Sequence, residues 1–89
     1  MKSIEEIIQE IILPMVENQK AIMVRKMPAL NEKEDIYLVI GESNDIARLI
    51  GHGGNVANAI REVVGVAGKL SERRIRIKFE SYEKAEEEE

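Results

Sequence analysis

A short glycine-rich segment has the residue types and spacing that most clearly indicate a chemical task. It reads Gly51-His52-Gly53-Gly54, and helical patterns precede and follow it. Glycine has no Cβ, so the main chain of such a segment can approach a ligand closely. A helix that starts immediately afterwards directs free N–H groups and the positive end of its dipole toward the same place. The segment is therefore suited to hold a phosphate group through the backbone.

Two nucleotide-binding motifs do not fit this segment. A dinucleotide-binding G-x-G-x-x-G fingerprint follows a strand, and its third glycine would fall on Val56. A P-loop ends in Gly-Lys followed by Ser or Thr, whereas the chain continues as Gly54-Asn55-Val56. Neither motif explains glycines that lie between two helices.

Three other interpretations remain. A G-x-x-G loop that clamps the backbone of single-stranded RNA fits both the spacing and the position. A helix-hairpin-helix also matches the spacing, but it needs an apolar residue where His52 stands and an all-helical fold. Simple helix capping by Gly51 and Gly54 would explain any two glycines three residues apart. We favour the RNA clamp because of the order of the surrounding elements.

Basic residues are concentrated around and after the glycine segment. The 89-residue chain has 13 Lys and Arg against 17 Asp and Glu, a formal charge of −4. Residues 48–78 nevertheless carry seven basic and two acidic side chains, and residues 83–89 alone account for −4. This asymmetry indicates a polyanion site in an otherwise acidic chain.

Composition disfavours several functional classes. There is no Cys, and a single His cannot form a zinc centre, so we expect no metal and no other cofactor. No pair of carboxylates has a spacing suited to acid–base catalysis, so we do not expect an enzyme. No apolar run reaches the ~20 residues that span a bilayer, and the first residues do not resemble a secretory signal. We therefore expect a soluble cytoplasmic protein.

The hydrophobic pattern predicts six elements in the order α-β-β-α-α-β. The first helix begins at a capping box formed by Ser3 and Glu6, and Pro14 weakens its last turn. A helix after the glycine segment is expected to end at Gly68. The elements are predicted at residues 4–16, 20–27, 35–41, 44–50, 54–68 and 73–80. This order suits an α+β fold, a two-layer sandwich in which three helices pack against a three-stranded sheet.

The faces of the predicted strands are assigned from their alternation. In the second strand, Ile36, Leu38 and Ile40 form the main apolar face, and Tyr37 and Val39 point away from it. In the third strand, we expect the outward row of Arg74, Arg76 and Lys78 to be a solvated face that discourages edge aggregation. Residues 1–82 are predicted to form one domain, and residues 83–89 a disordered acidic tail.

Residues 49–61, LIGHGGNVANAIR, resemble the KH-domain signature I-G-x-x-G-x-x-[IA]-x-x-I. The element order is that of type II KH domains, whose sheet is mixed, and the short chain is similar to the small bacterial KhpA (YlqC-like) family over about residues 3–80. The resemblance implies non-catalytic binding of single-stranded RNA in an adjacent apolar groove. It also implies a role as a post-transcriptional regulator or RNA chaperone that affects cell growth and division. The implied partner is a second copy or a larger KH-containing (KhpB/Jag-like) protein.

The residues expected to contact RNA are those of the loop and its flanks. They are Arg48, Ile50, Gly51, His52, Gly53, Gly54, Asn55, Asn58 and Arg61. Family members often have Lys or Arg in the loop, whereas this loop has no fixed cation. We therefore expect backbone-led binding, and roughly three neutralised phosphates would give a slope of log K against log salt of roughly −2. The alternative is a protein-interaction module that dimerises through the loop and the helix after it, with little RNA affinity.

Overall fold

The computed structural model describes residues 2–83, and its elements follow the predicted order. The helices and strands are α1 (Ile4–Ile12), β1 (Met23–Met27), β2 (Glu34–Gly41), α2 (Ser43–Ile50), α3 (Asn55–Leu70) and β3 (Arg74–Ser81). Short 3₁₀ turns lie at Leu13–Met15, Gln19–Ala21 and His52–Gly54. The fold is the predicted α+β sandwich. Except for Glu83, the acidic tail predicted at 83–89 lies outside the described residues, so the division at residue 82 stays a prediction.

The three strands form one mixed sheet in the order β1-β2-β3. Strand β1 runs antiparallel to β2, and Val24 lies opposite Val39. Strand β3 runs parallel to β2, and Ile77 lies opposite Tyr37. Parallel neighbours need a long crossover connection, which α2 and α3 provide here. The glycine segment is the turn between the two helices of that crossover.

The helices cover the sheet face that contains Tyr37 and Val39. Both residues belong to the core cluster, together with Val24 and Ile77 on the neighbouring strands. The predicted orientation of β2 was therefore wrong, because Ile36, Leu38 and Ile40 lie on the opposite face, outside that cluster. Both faces of β2 are apolar, so alternation separates them without showing which face the helices cover. The helices contribute Ile8, Ile12, Ile46, Leu49, Ile60 and Val64 to the core.

The capping box of α1 is present, and some predicted boundaries shift. The Glu6 N–H donates to Ser3 Oγ at 3.2 Å, as the sequence pattern predicts. Helix α1 ends at Ile12, and Pro14 lies in a 3₁₀ turn. Helix α3 continues past Gly68 to Leu70. A Cβ on Gly68 would lie 2.5 Å from Ile75 Cγ1, so this glycine allows close packing against β3 rather than ending the helix.

Candidate nucleic-acid interface

The glycine loop, residues 51–54, has a backbone that few residues other than glycine adopt. The φ angles of Gly51, Gly53 and Gly54 are 76°, 63° and 82°. All three lie in the left-handed region, which costs an L-residue roughly 1–2 kcal/mol. The Gly51 N–H donates to Ala47 O at 2.9 Å, and the Gly54 N–H donates to Gly51 O at 3.2 Å. The loop therefore closes α2 and starts α3 within four residues.

The three glycines meet different surroundings. A Cβ on Gly51 would lie 2.4 Å from Val56 Cγ2, so packing inside the chain excludes a side chain there. A Cβ on Gly53 or Gly54 would meet no atom within 4 Å. The space beside these two positions is open and neither residue has a side chain, so a ligand can contact the main chain directly. Gly51 shapes the loop, and Gly53 and Gly54 leave its tip accessible.

The side chains around the loop tip are polar and carry no fixed charge. His52, Asn55 and Asn58 are exposed. Ile50 is half-buried and packs against the core, so only part of its side chain is available to a ligand. The structure thus brings these predicted residues to one end of the α2–α3 pair.

Arg48 is committed to a neighbouring segment instead of the loop. Its Nη1 donates to Met15 O and its Nη2 to Glu17 Oε1, each at 3.3 Å. The ion pair with Glu17 is exposed and offsets part of the positive charge. Of the two arginines predicted to supply charge to the loop, Arg48 is the less available.

Arg61 bridges α3 and β3. Its Nε and Nη2 donate to Ile77 O at 3.2 and 3.1 Å, and its Nη1 donates to Asn58 Oδ1 at 3.3 Å. The guanidinium carbon also lies 5.5 Å from the centre of the Phe79 ring, a cation–π distance. Within residues 2–83 no carboxylate pairs with Arg61, so its charge remains available to an anion.

A groove of ≈ 500 Å³ lies along β3 beside Arg61, and we call it the β3 groove. Its lining residues are Arg61, Arg74, Ile75, Arg76, Ile77 and Lys78. Four of the six are basic, two are apolar, and none of this described lining is acidic. In residues 2–83 only Arg76 among them forms an ion pair, with Glu34 at 3.3 Å. Such a surface suits a ligand with phosphates and apolar rings.

The sequence pattern did not predict the β3 groove. The row of Arg74, Arg76 and Lys78, which we expect from the sequence to be solvated, is exposed in the structure. The signal available was the strict alternation of basic and apolar residues in β3. That pattern does not reveal that β3 is an edge strand or that Arg61 lies next to it.

A second cleft, of ≈ 640 Å³, lies at the far end of α3 and has mixed charge. Its lining has four basic residues, Lys33, Lys69, Arg73 and Arg74, and two acidic ones, Glu34 and Glu72. Of these, Arg73 is engaged by Asp35 through two hydrogen bonds of 2.7 Å. Mixed signs weaken the local field, so this cleft is less suited to a polyanion than the β3 groove.

Two buried carboxylates fix the loop and the groove to the rest of the fold. Asp45, in the first turn of α2, accepts hydrogen bonds from the backbone N–H groups of Glu17 and Asn18 at 2.9 and 3.1 Å. These bonds lower the pKa of Asp45. The hydrogen bonds from Arg73 lower the pKa of Asp35 and hold the start of β3 against β2.

Metal binding and membrane spanning each require a feature that residues 2–83 lack. Within residues 2–83 there is no cluster of His, Asp and Glu that could hold a metal ion. In the same part of the chain, none of the helices combines the length and hydrophobicity that a membrane span requires.

Comparison with known families agrees with this geometry. A family model described as "KhpA/KhpB, KH domain" matches residues 5–79. The matched range contains the whole glycine loop and every residue that lines the β3 groove. No curated protein matches the chain.

Proposed function

The chain belongs to the KhpA/KhpB family of KH-domain proteins, and on that premise we propose that it holds single-stranded RNA with the glycine loop and the β3 groove. The observation that carries the proposal is the pairing of two surfaces. One is a left-handed glycine turn whose tip faces open space, and the other is a groove whose lining is basic and apolar.

The two surfaces suit different parts of an RNA strand. The open main chain at Gly53 and Gly54 lets a phosphate approach closely, and the positive end of the α3 dipole favours the phosphate there. The Gly54 N–H itself donates to Gly51 O, so close approach and the dipole carry this part of the proposal. The half-buried side chain of Ile75 suits the face of a base, and the basic residues around it suit further phosphates. Ile77 borders the groove but is 4% exposed and belongs to the core. Arg61 lies seven residues after Gly54, so about 10 Å along the helix axis separates the two surfaces.

The first test places negative charge on the loop. In His52→Asp/Gly53→Asp the new carboxylates repel phosphates, and Asp is among the few residues that tolerate a left-handed φ. The matched control is His52→Asn/Gly53→Asn, which has nearly the same shape without the charge. We expect the Asp variant to bind a fluorescein-labelled single strand of about a dozen nucleotides at least tenfold more weakly than the Asn variant at ~50 mM salt. Equal affinities of the two folded variants would contradict the proposal.

The cellular role proposed is post-transcriptional regulation or RNA chaperoning in the cytoplasm, without catalysis, with effects on growth and division. Family membership supports it, because the matched module is a KH domain and KH domains clamp the backbone of single-stranded RNA. Crosslinking in cells followed by sequencing of the recovered RNA tests this role. Enrichment of defined transcripts that is lost in the Asp loop variant is the expected result, and recovery of no RNA above background would overturn it.

A further part of the proposal is self-association through α3. Val63 and Val66 are each 59% exposed and Leu70 is 85% exposed. Their spacing places them along one side of the helix. An isolated apolar stripe on a charged surface is typical of an interface. This stripe is the observation that favours a second candidate function, in which the chain acts as a protein-interaction module.

A second copy of this chain that presents the same stripe would bury Val63, Val66 and Leu70 of both copies, as an isologous interface requires.

Light scattering tests the pairing. Val66→Asp is expected to give a monomer, whereas Leu30→Asp, at a position 95% exposed in another part of the chain, is expected to leave the dimer intact. A monomeric parent chain would leave a larger KH-containing protein as the proposed partner. A stable dimer that binds no RNA at ~50 mM salt would favour the interaction module over RNA binding.

A further inference from the structure

The β3 groove has more positive charge than the described chain neutralises. Arg61, Arg74 and Lys78 have no carboxylate partner within residues 2–83, and Arg76 shares only one with Glu34. Like charges on neighbouring side chains repel, and an anion between them relieves that repulsion. The groove is thus prepared for an anionic occupant, and RNA is not the sole candidate.

The sequence continues past β3 with an acidic segment. Residues 86–89 are four consecutive Glu, outside the described residues, and they follow β3 by a few positions. The Tyr82 Oη donates to Ala21 O at 2.6 Å and holds the described chain just after β3. The last described residue, Glu83, is three positions before the acidic segment.

The chain length is sufficient for this segment to reach the groove. Lys78 lies three residues before Ser81, about 10 Å along the strand, and Arg76 about 17 Å. Six residues separate Glu83 from Glu89, and an extended chain spans about 20 Å over that length. From Glu83, Glu86 reaches about 10 Å and Glu89 about 20 Å, so the last glutamates of the segment can lie beside Lys78 and approach Arg76 and Arg61.

We propose that residues 86–89 dock on the β3 groove and compete there with RNA. Docking itself depends only on charge complementarity, whereas the competition rests on the proposed RNA-binding function. A short connection keeps the acidic segment at a local concentration in the millimolar range, so that even weak ion pairs are occupied at low salt. Because only the groove cations are covered, the glycine loop stays open to RNA.

Docking is tested without RNA, by nuclear magnetic resonance of the full chain. The parent is compared with Glu86→Gln/Glu87→Gln/Glu88→Gln/Glu89→Gln, which keeps the length and removes the charge. We expect shift differences at the groove cations within reach, including the Arg61 and Arg76 side-chain Nε signals, that disappear at ~0.5 M salt. Signals at those positions that coincide in the two chains at low salt would overturn the docking.

Competition is tested by RNA affinity against a charge-matched control. The control is Glu5→Gln/Glu6→Gln/Glu10→Gln/Glu32→Gln, which removes the same number of charges from α1 and the β1–β2 turn. At ~50 mM salt we expect the Glu86–Glu89 variant to bind RNA roughly three- to tenfold more tightly than the parent, and the control less than twofold. Equal tightening in both variants would show an effect of net charge and overturn the competition. Shift differences without RNA binding in any variant would retain docking and reject the proposed function.

Discussion

The glycine loop and the β3 groove present opposite physical properties to the same proposed ligand. The loop has an unusual backbone and no fixed charge, whereas the groove has an ordinary extended backbone and four basic side chains. Arg61 lies between them, with Asn58 on the loop side and Ile77 on the strand side. The comparison indicates that shape and charge are supplied by separate parts of this domain, so each can be altered while the other is kept.

The largest effect is expected where the loop depends on packing inside the chain. Gly51→Ala adds a Cβ against Val56 at a left-handed φ. Strain and overpacking together are expected to lower the free energy of unfolding by about 2–4 kcal/mol. Urea unfolding followed by circular dichroism measures this loss.

The matched control for that substitution lies two residues away. Gly53→Ala also has a positive φ, but its ψ is 17° instead of the 178° of Gly51 and open space surrounds the new Cβ, so only the left-handed cost of about 1–2 kcal/mol applies. Equal losses in the two variants would show that neither the contact with Val56 nor the backbone angles of Gly51 add to the cost. RNA affinity is expected to fall in Gly53→Ala even so, because the methyl group blocks the approach to the main chain.

The second effect concerns the link between the two regions. Arg61→Gln removes the charge and the paired donation to Ile77 O, so we expect about 1 kcal/mol less stability and roughly threefold weaker RNA binding at ~50 mM salt. Arg61→Lys keeps the charge but not the planar fork, so it should lose a similar amount of stability and less affinity. Equal RNA affinities of the Gln and Lys variants would argue against a phosphate at Arg61.

The smallest effect is expected from acid, which protonates the two carboxylates, Asp45 and Asp35, that hold the loop and the groove to the fold. Hydrogen bonds lower the pKa of Asp45 and of Asp35 below the ordinary value of 3.8. A carboxyl whose folded-state pKa is lowered contributes stability above its unfolded-state pKa, and this contribution is lost as pH falls through the folded-state value. Thermal unfolding temperatures should therefore be flat from neutral pH to about pH 5 and decline below about pH 4.

Substitution separates the two carboxylates in this pH dependence. Asp45→Asn and Asp35→Asn should each lower the unfolding temperature at neutral pH and reduce its decline in acid. A decline in acid that is unchanged in both variants would show that other carboxyl groups cause it.

The local pattern was enough to predict the glycine loop and the order of elements. Gly51 and Gly54 between helical patterns identify the turn, and the alternation in residues 73–80 identifies a strand. These are properties of neighbouring residues, which a single sequence displays directly. The family match over residues 5–79 confirms the resemblance.

The properties that depend on three-dimensional neighbours could not be predicted in the same way. Which face of β2 meets the helices depends on where α1 and α3 pack, since Ile36 and Tyr37 are both apolar enough for the core. The groove depends on β3 being an edge strand beside Arg61. The contact of Arg48 with RNA stays a prediction; its hydrogen bonds to residues 15 and 17 depend on how that segment folds beside α2, which the sequence does not show.

The most direct test of the separation between shape and charge is the salt dependence of RNA affinity. We expect the parent to show a slope of log K against log salt of roughly −2. Gly53→Ala should bind more weakly at every salt concentration with the same slope. Arg74→Gln/Lys78→Gln should give a slope shallower by about one unit, because about two phosphate contacts are lost. Two results would contradict this separation of shape and charge. One is an Arg74→Gln/Lys78→Gln chain that keeps the parent's slope, and the other is a Gly53→Ala chain whose slope is as shallow as the one expected for Arg74→Gln/Lys78→Gln.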